Sequence, residues 1–197
     1  MDVVEIAPGL WRWTAAHPDW AEGADWPREV GCVYYEAPDA VVLIDPLVPD
    51  EPAERERFLA ALDRDVERLG RPVAILLTVP WHDRGSAELA ERYGSARGVP
   101  PGGVVEVPLG VAGETVYWLP EHLSVVPGDS LLGDGSGGVA ICPDDWLDDD
   151  FVAGHDPAAL RAALRRLLDL PFERLLVSHG APVLAGGHAA LTRALAE

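Results

Sequence analysis

The sequence contains no lysine, no asparagine and no glutamine, and each of its 15 basic residues is an arginine. Against these stand 33 aspartates and glutamates, for a formal net charge of -18. A surface so short of positive charge repels phosphate backbones, so nucleic acid and anionic membranes are not expected partners. Cysteine is scarce as well. Cys32 and Cys142 are the only two, and no CxxC spacing occurs. Two thiols make no disulfide framework and read as buried free thiols of a reducing compartment. No apolar run approaches the ~20 residues that a membrane span requires. Residues 1–5 carry neither the basic stretch nor the apolar stretch of a targeting peptide, so the expected location is cytoplasmic.

What is present is ordinary globular composition, with 48% hydrophobic and 24% charged residues over 197 positions. That supports one core-forming domain over 1–197. The opening reads as short antiparallel strands, at 3–6, 10–13, 31–35 and 41–44, separated by Pro/Gly turns. Residues 52–69 change to helical spacing, with Phe58, Leu59, Leu62, Val66 and Leu69 on one face and Gly70 as the stop. The run 73–78 is continuously apolar up to Thr78 and predicts a strand buried on both faces. A short helix over 86–93 follows, then strands at 104–107, 115–119, 123–126 and 139–142. Asp156 and Pro157 cap and start a helix that runs to about 170. A short buried strand at 175–178 delivers His179, and a helix over 187–195 follows. The acidic stretch 144–150 reads as a solvated loop, with a cation site as the alternative. The glycine-rich 133–138 lacks the lysine and spacing of a phosphate loop and reads as a turn. No G-x-S-x-G elbow supports serine catalysis.

Three predicted strands end in ionisable side chains. The first leads to Trp81-His82-Asp83-Arg84, the second to Asp129 and the third to His179. Strand ends are where rigid elements aim functional groups. Two carboxylates and an imidazole are sufficient to hold a divalent ion with open positions.

Several pieces, in this order and spacing, resemble the metallo-β-lactamase-fold hydrolases. They are Ile6-Ala7-Pro8-Gly9-Leu10-Trp11, Leu43-Ile44-Asp45-Pro46, Ile75-Leu76-Leu77-Thr78, Gly128-Asp129 and Ser178-His179-Gly180-Ala181-Pro182. The resemblance covers most of the chain. It implies an α/β protein: an αβ/βα four-layer sandwich of two mixed sheets with helices outside and a metal cleft at one edge.

The departures from that family bear directly on function. Its signature is Thr-His-x-His-x-Asp-His, where this chain reads Thr78-Val79-Pro80-Trp81-His82-Asp83-Arg84. Val79 and Trp81 stand where the first metal's two histidines belong, and neither coordinates zinc. No histidine lies between His82 and His122 to supply the third. By ligand count the first site is absent. The second site keeps Asp83, Asp129 and His179, while Arg84 replaces its last histidine. These three residues are the expected ligands of one zinc or other divalent ion. The alternative is that no cofactor binds, that the three form a structural network, and that Arg84 pairs with Asp83 or Asp129.

His82 sits at a variable position of the signature and is a candidate replacement ligand or general base. His82, Asp83 and Arg84 are therefore the candidate catalytic residues. Trp20, Trp26 and Trp81 are the candidate pocket lining, suited to an apolar or aromatic small molecule. His17, His155 and His188 receive no role. The expected function is hydrolase-like, with at most a mononuclear centre acting on a small, partly apolar substrate. The alternative is a metal-free pseudoenzyme that binds a small ligand or partner. The sequence leaves open whether it is an enzyme, and its oligomeric state.

Overall fold

The apolar run Val41–Ile44 is completely buried, and the first part of the chain is arranged around it. The computed structural model describes residues 1–95, 97–111, 113–147 and 156–196. They form two compact units, residues 1–77 with 81–104, and residues 78–80 with 105–197.

The first unit is a five-stranded mixed sheet with two helices. In chain order its strands are β1 (Asp2–Ala7), β2 (Leu10–Ala16), β3 (Glu29–Glu36), β4 (Val41–Ile44) and β5 (Val73–Leu76), and they lie side by side in that order. The pairs from β1 to β4 are antiparallel, whereas β4 and β5 are parallel. That parallel pair requires a crossover, which is α1 (Pro52–Leu69). Helix α1 begins where Glu51 accepts a hydrogen bond from the Glu54 amide, with Pro52 in its first turn. It ends at Gly70, whose φ of 60° is the left-handed cap. Phe58 and Leu62 of α1 join Trp13, Cys32, Tyr34, Leu43 and Ile75 in one apolar cluster. Alternate residues of a strand face the same side, so this cluster is one face of the sheet. The opposite positions, Val33, Tyr35, Val42, Ile44 and Leu76, are buried too. The Trp13 indole donates to the Leu47 carbonyl at 3.0 Å, which satisfies a buried N–H. Helix α2 (Ser86–Tyr93) buries Leu89 in the same cluster.

In the second unit the strands are β6 (Val105–Pro108), β7 (Thr115–Leu119), β8 (Ser124–Val126), β9 (Leu131–Gly133) and β10 (Val139–Ile141). Helix α3 (Pro157–Arg165), strand β11 (Arg174–Leu175) and helix α4 (Gly187–Ala194) follow. The main sheet runs β11-β8-β7-β6, with β11 parallel to β8; β9 and β10 form a separate antiparallel ribbon. Leu160 and Leu164 of α3, with Leu191 of α4, are buried.

The element pattern follows the expected one, with local differences. The strand expected over 73–78 ends at Leu76, because the Thr78 carbonyl instead accepts from the Thr115 amide at 2.8 Å. The helix expected to reach 170 is α-helical only to Arg165 and tightens into a 3-10 turn over Arg166–Asp169. Pro171 ends it. Strand β9 has no counterpart in the sequence reading, since glycines dominate 133–138, yet Leu131–Gly133 pairs with β10. Of the strand expected at 175–178, Leu175 is paired and Leu176 still donates to Val125 at 2.9 Å. Residues 177–178 continue as buried irregular chain. Of the acidic stretch, 144–147 form a 3-10 turn; 148–150, like His155, lie outside the described residues. No helix among the described residues is long and apolar enough to cross a membrane. Both cysteines are free and buried, and burial pushes the Cys32 thiol up to about 11 and the Cys142 thiol up to about 12. Neither is a reactive thiolate near neutrality.

One backbone contact controls how His179 is presented. The Gly133 amide donates to the His179 carbonyl at 2.9 Å. A Cβ on Gly133 would overlap the Ala181 carbonyl oxygen, and one on Gly180 would lie 2.6 Å from the Gly133 carbonyl oxygen. Gly180 also has a φ of +82°. Gly133→Ala is therefore expected to destabilise the protein by about 1–3 kcal/mol or more, because backbone on both sides must shift. Urea denaturation with circular dichroism measures this; an unchanged midpoint would contradict the contact.

Candidate functional site

Each unit buries a carboxylate next to an imidazole at the end of a strand. In the first unit, β4 stops at Ile44 and Asp45 turns the chain with a φ of 50°. That conformation is tolerated better by aspartate than by most residues. The Asp45 amide still donates to the Leu76 carbonyl at 3.0 Å, so the turn is tied to β5. The Asp45 carboxylate lies 2.9 Å from Nδ1 of His82, and both residues are about 2% exposed. A carboxylate accepts only, so Nδ1 carries the proton and the imidazole is oriented through it.

The neighbours of His82 are arranged differently. Asp83 is exposed; it accepts from Arg97 Nη1 at 2.6 Å and from the Ser86 hydroxyl, which secures the start of α2. The cation beside Asp83 is thus Arg97. Arg84 is half-buried, has a φ of 36°, and points Nη1 toward the Asp45 carbonyl at 3.4 Å. Trp81 is partly exposed. Trp20 donates its indole N–H to the Trp26 carbonyl at 3.0 Å. Trp20 also lines a cavity of about 540 Å³ with His17, Arg28, Glu29, Asp50 and Glu54. Trp26 packs against the core of the unit and meets the His17 ring edge-on at 5.2 Å.

In the second unit the sequence-predicted Asp129 and His179 come together. Asp129 follows β8 through Pro127 and Gly128, and His179 follows β11, the parallel neighbour of β8. Asp129 Oδ1 and His179 Nε2 are 3.3 Å apart, with the residues 8% and 6% exposed. The Trp146 ring stands edge-on to the His179 ring at 5.4 Å. Val79, where the family signature has a histidine, is buried, and its Cγ1 would be 2.9 Å from a Cβ on Gly128. It packs on the turn that carries Asp129.

That turn has a second support that sequence reasoning missed. Glu114 is buried just before β7. Its Oε1 accepts from the Gly128 amide at 2.9 Å and the Ser130 hydroxyl at 2.6 Å, and its Oε2 accepts from the Ser130 amide at 3.0 Å. Burial pushes the Glu114 carboxyl up to about 7, and the nearby Asp129 charge adds to this; the bonds from Ser130 and Gly128 act against it. The sequence marks Asp45 only as a strand end and does not single out Trp146. A glutamate before an apolar strand carries no local signal of burial, and a tryptophan among aspartates carries no sign of its partner.

As a donor set, an aspartate and a histidine in buried contact fit a borderline-soft divalent ion such as zinc. Comparison with known proteins adds the fold. No family model matches the chain, and no curated protein matches it. Solved structures do. A metallo-beta-lactamase from Erythrobacter litoralis is similar with a TM-score of 0.65 at 15% identity, over 98% of this chain and 90% of that one. One from Hirschia baltica gives 0.64 at 15%, over 99% and 96%. A metallo-beta-lactamase family protein from Thermus thermophilus gives 0.56 at 17%, over 98% and 80%. The chain has the metallo-β-lactamase fold, as the sequence resemblance implied.

Glu114 makes stability depend on pH. Its folded pKa of about 7 lies above the ordinary 4.5, so the folded state holds the proton more tightly than the unfolded chain. The stabilisation is fully present below about pH 4.5 and is lost as pH rises through 7. The full swing is about 3 kcal/mol. Urea denaturation at pH 5 and pH 8 is expected to show a larger loss for the wild type than for Glu114→Gln, which cannot titrate there. Parallel losses in the two proteins would contradict it.

Proposed function

We propose that this protein is a hydrolase-like member of its fold with one divalent metal ion, held by Asp129 and His179, acting on a small, partly apolar substrate. The observation that carries this reading is the buried contact of Asp129 with His179 at 3.3 Å. Within the first unit His82 is buried and its Nδ1–H is committed to Asp45, which fixes the orientation of its ring. Asp83 is exposed and already neutralised by Arg97. The ion, when bound, would act as a Lewis acid and lower the pKa of a bound water toward neutrality. A two-metal centre does not fit this chain, because Val79 and Trp81 offer no donor. Trp20 and Trp81, both partly exposed, are the proposed apolar contacts for substrate.

A metal-free binding protein is the second reading. It is favoured by the direct carboxylate–imidazole contact at 3.3 Å, which gives each group an ion-pair partner without a metal ion. Metal content per chain, measured after purification without chelator and again after zinc titration, separates the two. One equivalent of zinc is expected, lost in His179→Ala and kept in Asp83→Ala. No uptake by the wild type supports the metal-free reading, and two equivalents would overturn both.

Two further outcomes follow from a single site on an apolar core. Chelation by EDTA is expected to lower the melting temperature by less than about 10 °C, with the transition still cooperative. Hydrolysis of β-lactams and thioesters with added zinc is expected to stay below about 1 per second, the low end of ordinary enzyme turnover. A larger melting shift, or turnover within the usual range, would count against the single-site reading.

A further inference from the structure

Among the described residues, Asp45, Glu114 and Asp129 are the carboxylates buried in the protein. Asp45 orients His82 and Asp129 contacts His179, while the Glu114 carboxylate serves neither imidazole directly. Its three accepted hydrogen bonds all come from the residues on either side of Asp129, two from Ser130 and one from Gly128. A buried carboxylate is costly, and an apolar side chain at that position would pack without the cost. The surroundings are matched to it. The Glu114 backbone is held at both ends, its amide donating to Val111 and its carbonyl accepting from Leu109, each at 3.0 Å. Gly128 is the residue that lets the turn lie on the carboxylate, since a Cβ there would be 3.1 Å from Glu114 Cδ and 3.0 Å from Thr78 Oγ1. Ser130 contributes both its amide and its hydroxyl and is fully buried.

We infer that Glu114 is a positioning residue: it clamps the backbone of residues 128–130 so that the Asp129 carboxylate is presented to the His179 imidazole in the orientation a metal ion requires. The part that concerns metal rests on the function proposed above; the part that concerns the Asp129–His179 contact does not. An acid that only filled space would have no reason to take all its hydrogen bonds from one turn. Partners flanking a ligand typically change metal affinity by about 10–100-fold when removed.

The test uses the whole chain and two variants. Glu114→Gln replaces one acceptor oxygen by an NH₂ group facing a backbone N–H. Ser130→Ala removes the hydroxyl bond alone and keeps both backbone bonds, so it serves if the first variant does not fold. The first measurement is made without metal, on the His179 imidazole resonances by ¹H–¹⁵N NMR. Displaced His179 resonances in the folded variant are expected; resonances that match the wild type would overturn the positioning role, whatever the stability change. The second measurement is cobalt(II) titration followed by its visible absorption. A loss of affinity of about 10–100-fold and an altered band shape are expected for Glu114→Gln. Unchanged affinity and spectrum would overturn the effect on metal. A wild type that takes up no cobalt, with the His179 resonances still displaced in the variant, would sink the metal reading and leave the clamp standing.

Discussion

Placing the Asp129 carboxylate beside the His179 imidazole, away from water, is the constraint on which the second unit depends. A charge or dipole removed from solvent must be met by partners, and the partners must be held in place. The main sheet supplies the placement, since β8 and β11 are parallel neighbours and each releases one member of the pair at the same end. Backbone contacts supply the aim. Gly133 receives His179 from one side, and Glu114 grips the turn around Asp129 from the other. The first unit repeats the theme with different means. There Asp45 adopts a left-handed backbone at the end of β4 and meets His82, which arrives on a 3-10 turn after β5. In both units an apolar strand leads into a buried carboxylate that a non-local imidazole contacts.

How much of this is legible in the sequence depends on how local the cause is. The strand at 41–44 and the helix over 52–69 are written in periodicity and capping residues, and they fold as read. Burial on both sides of β4 is foreshadowed by four consecutive apolar residues. The strand ends at Asp129 and His179 are legible for the same reason, because an apolar run that stops at an ionisable residue is visible in one dimension. The pairing of His82 with Asp45 is not, because the partners are 37 residues apart and neither neighbourhood announces the other. Glu114 is invisible because it looks like any solvated acid in a chain with 33 acidic residues. Asp83 is read from its place in a signature, while its partner, Arg97, follows from the packing of α2 and the chain beyond it.

The charge imbalance has a structural counterpart. With no lysine in the sequence, the cationic side chains that meet surface carboxylates are guanidinium groups. Arg92 pairs with Asp63, Arg55 with Glu88 and Arg97 with Asp83, linking segments distant in sequence. Exposed pairs of this kind contribute little each to stability. Their geometry matters more than their energy at Asp83, where the pair with Arg97 and the bond from Ser86 commit the carboxylate to the start of a helix.

The meeting of Gly133 and Gly180 constrains how this sequence can drift. Gly133 leaves room for the Ala181 backbone and Gly180 leaves room for the Gly133 backbone, so the two positions are tied together although 47 residues separate them. A side chain added to either one strikes main chain, which cannot rotate away as a side chain can. No substitution at the first can be rescued by a change at the second, since glycine is already the smallest residue. A chain that keeps this way of delivering His179 must keep both glycines.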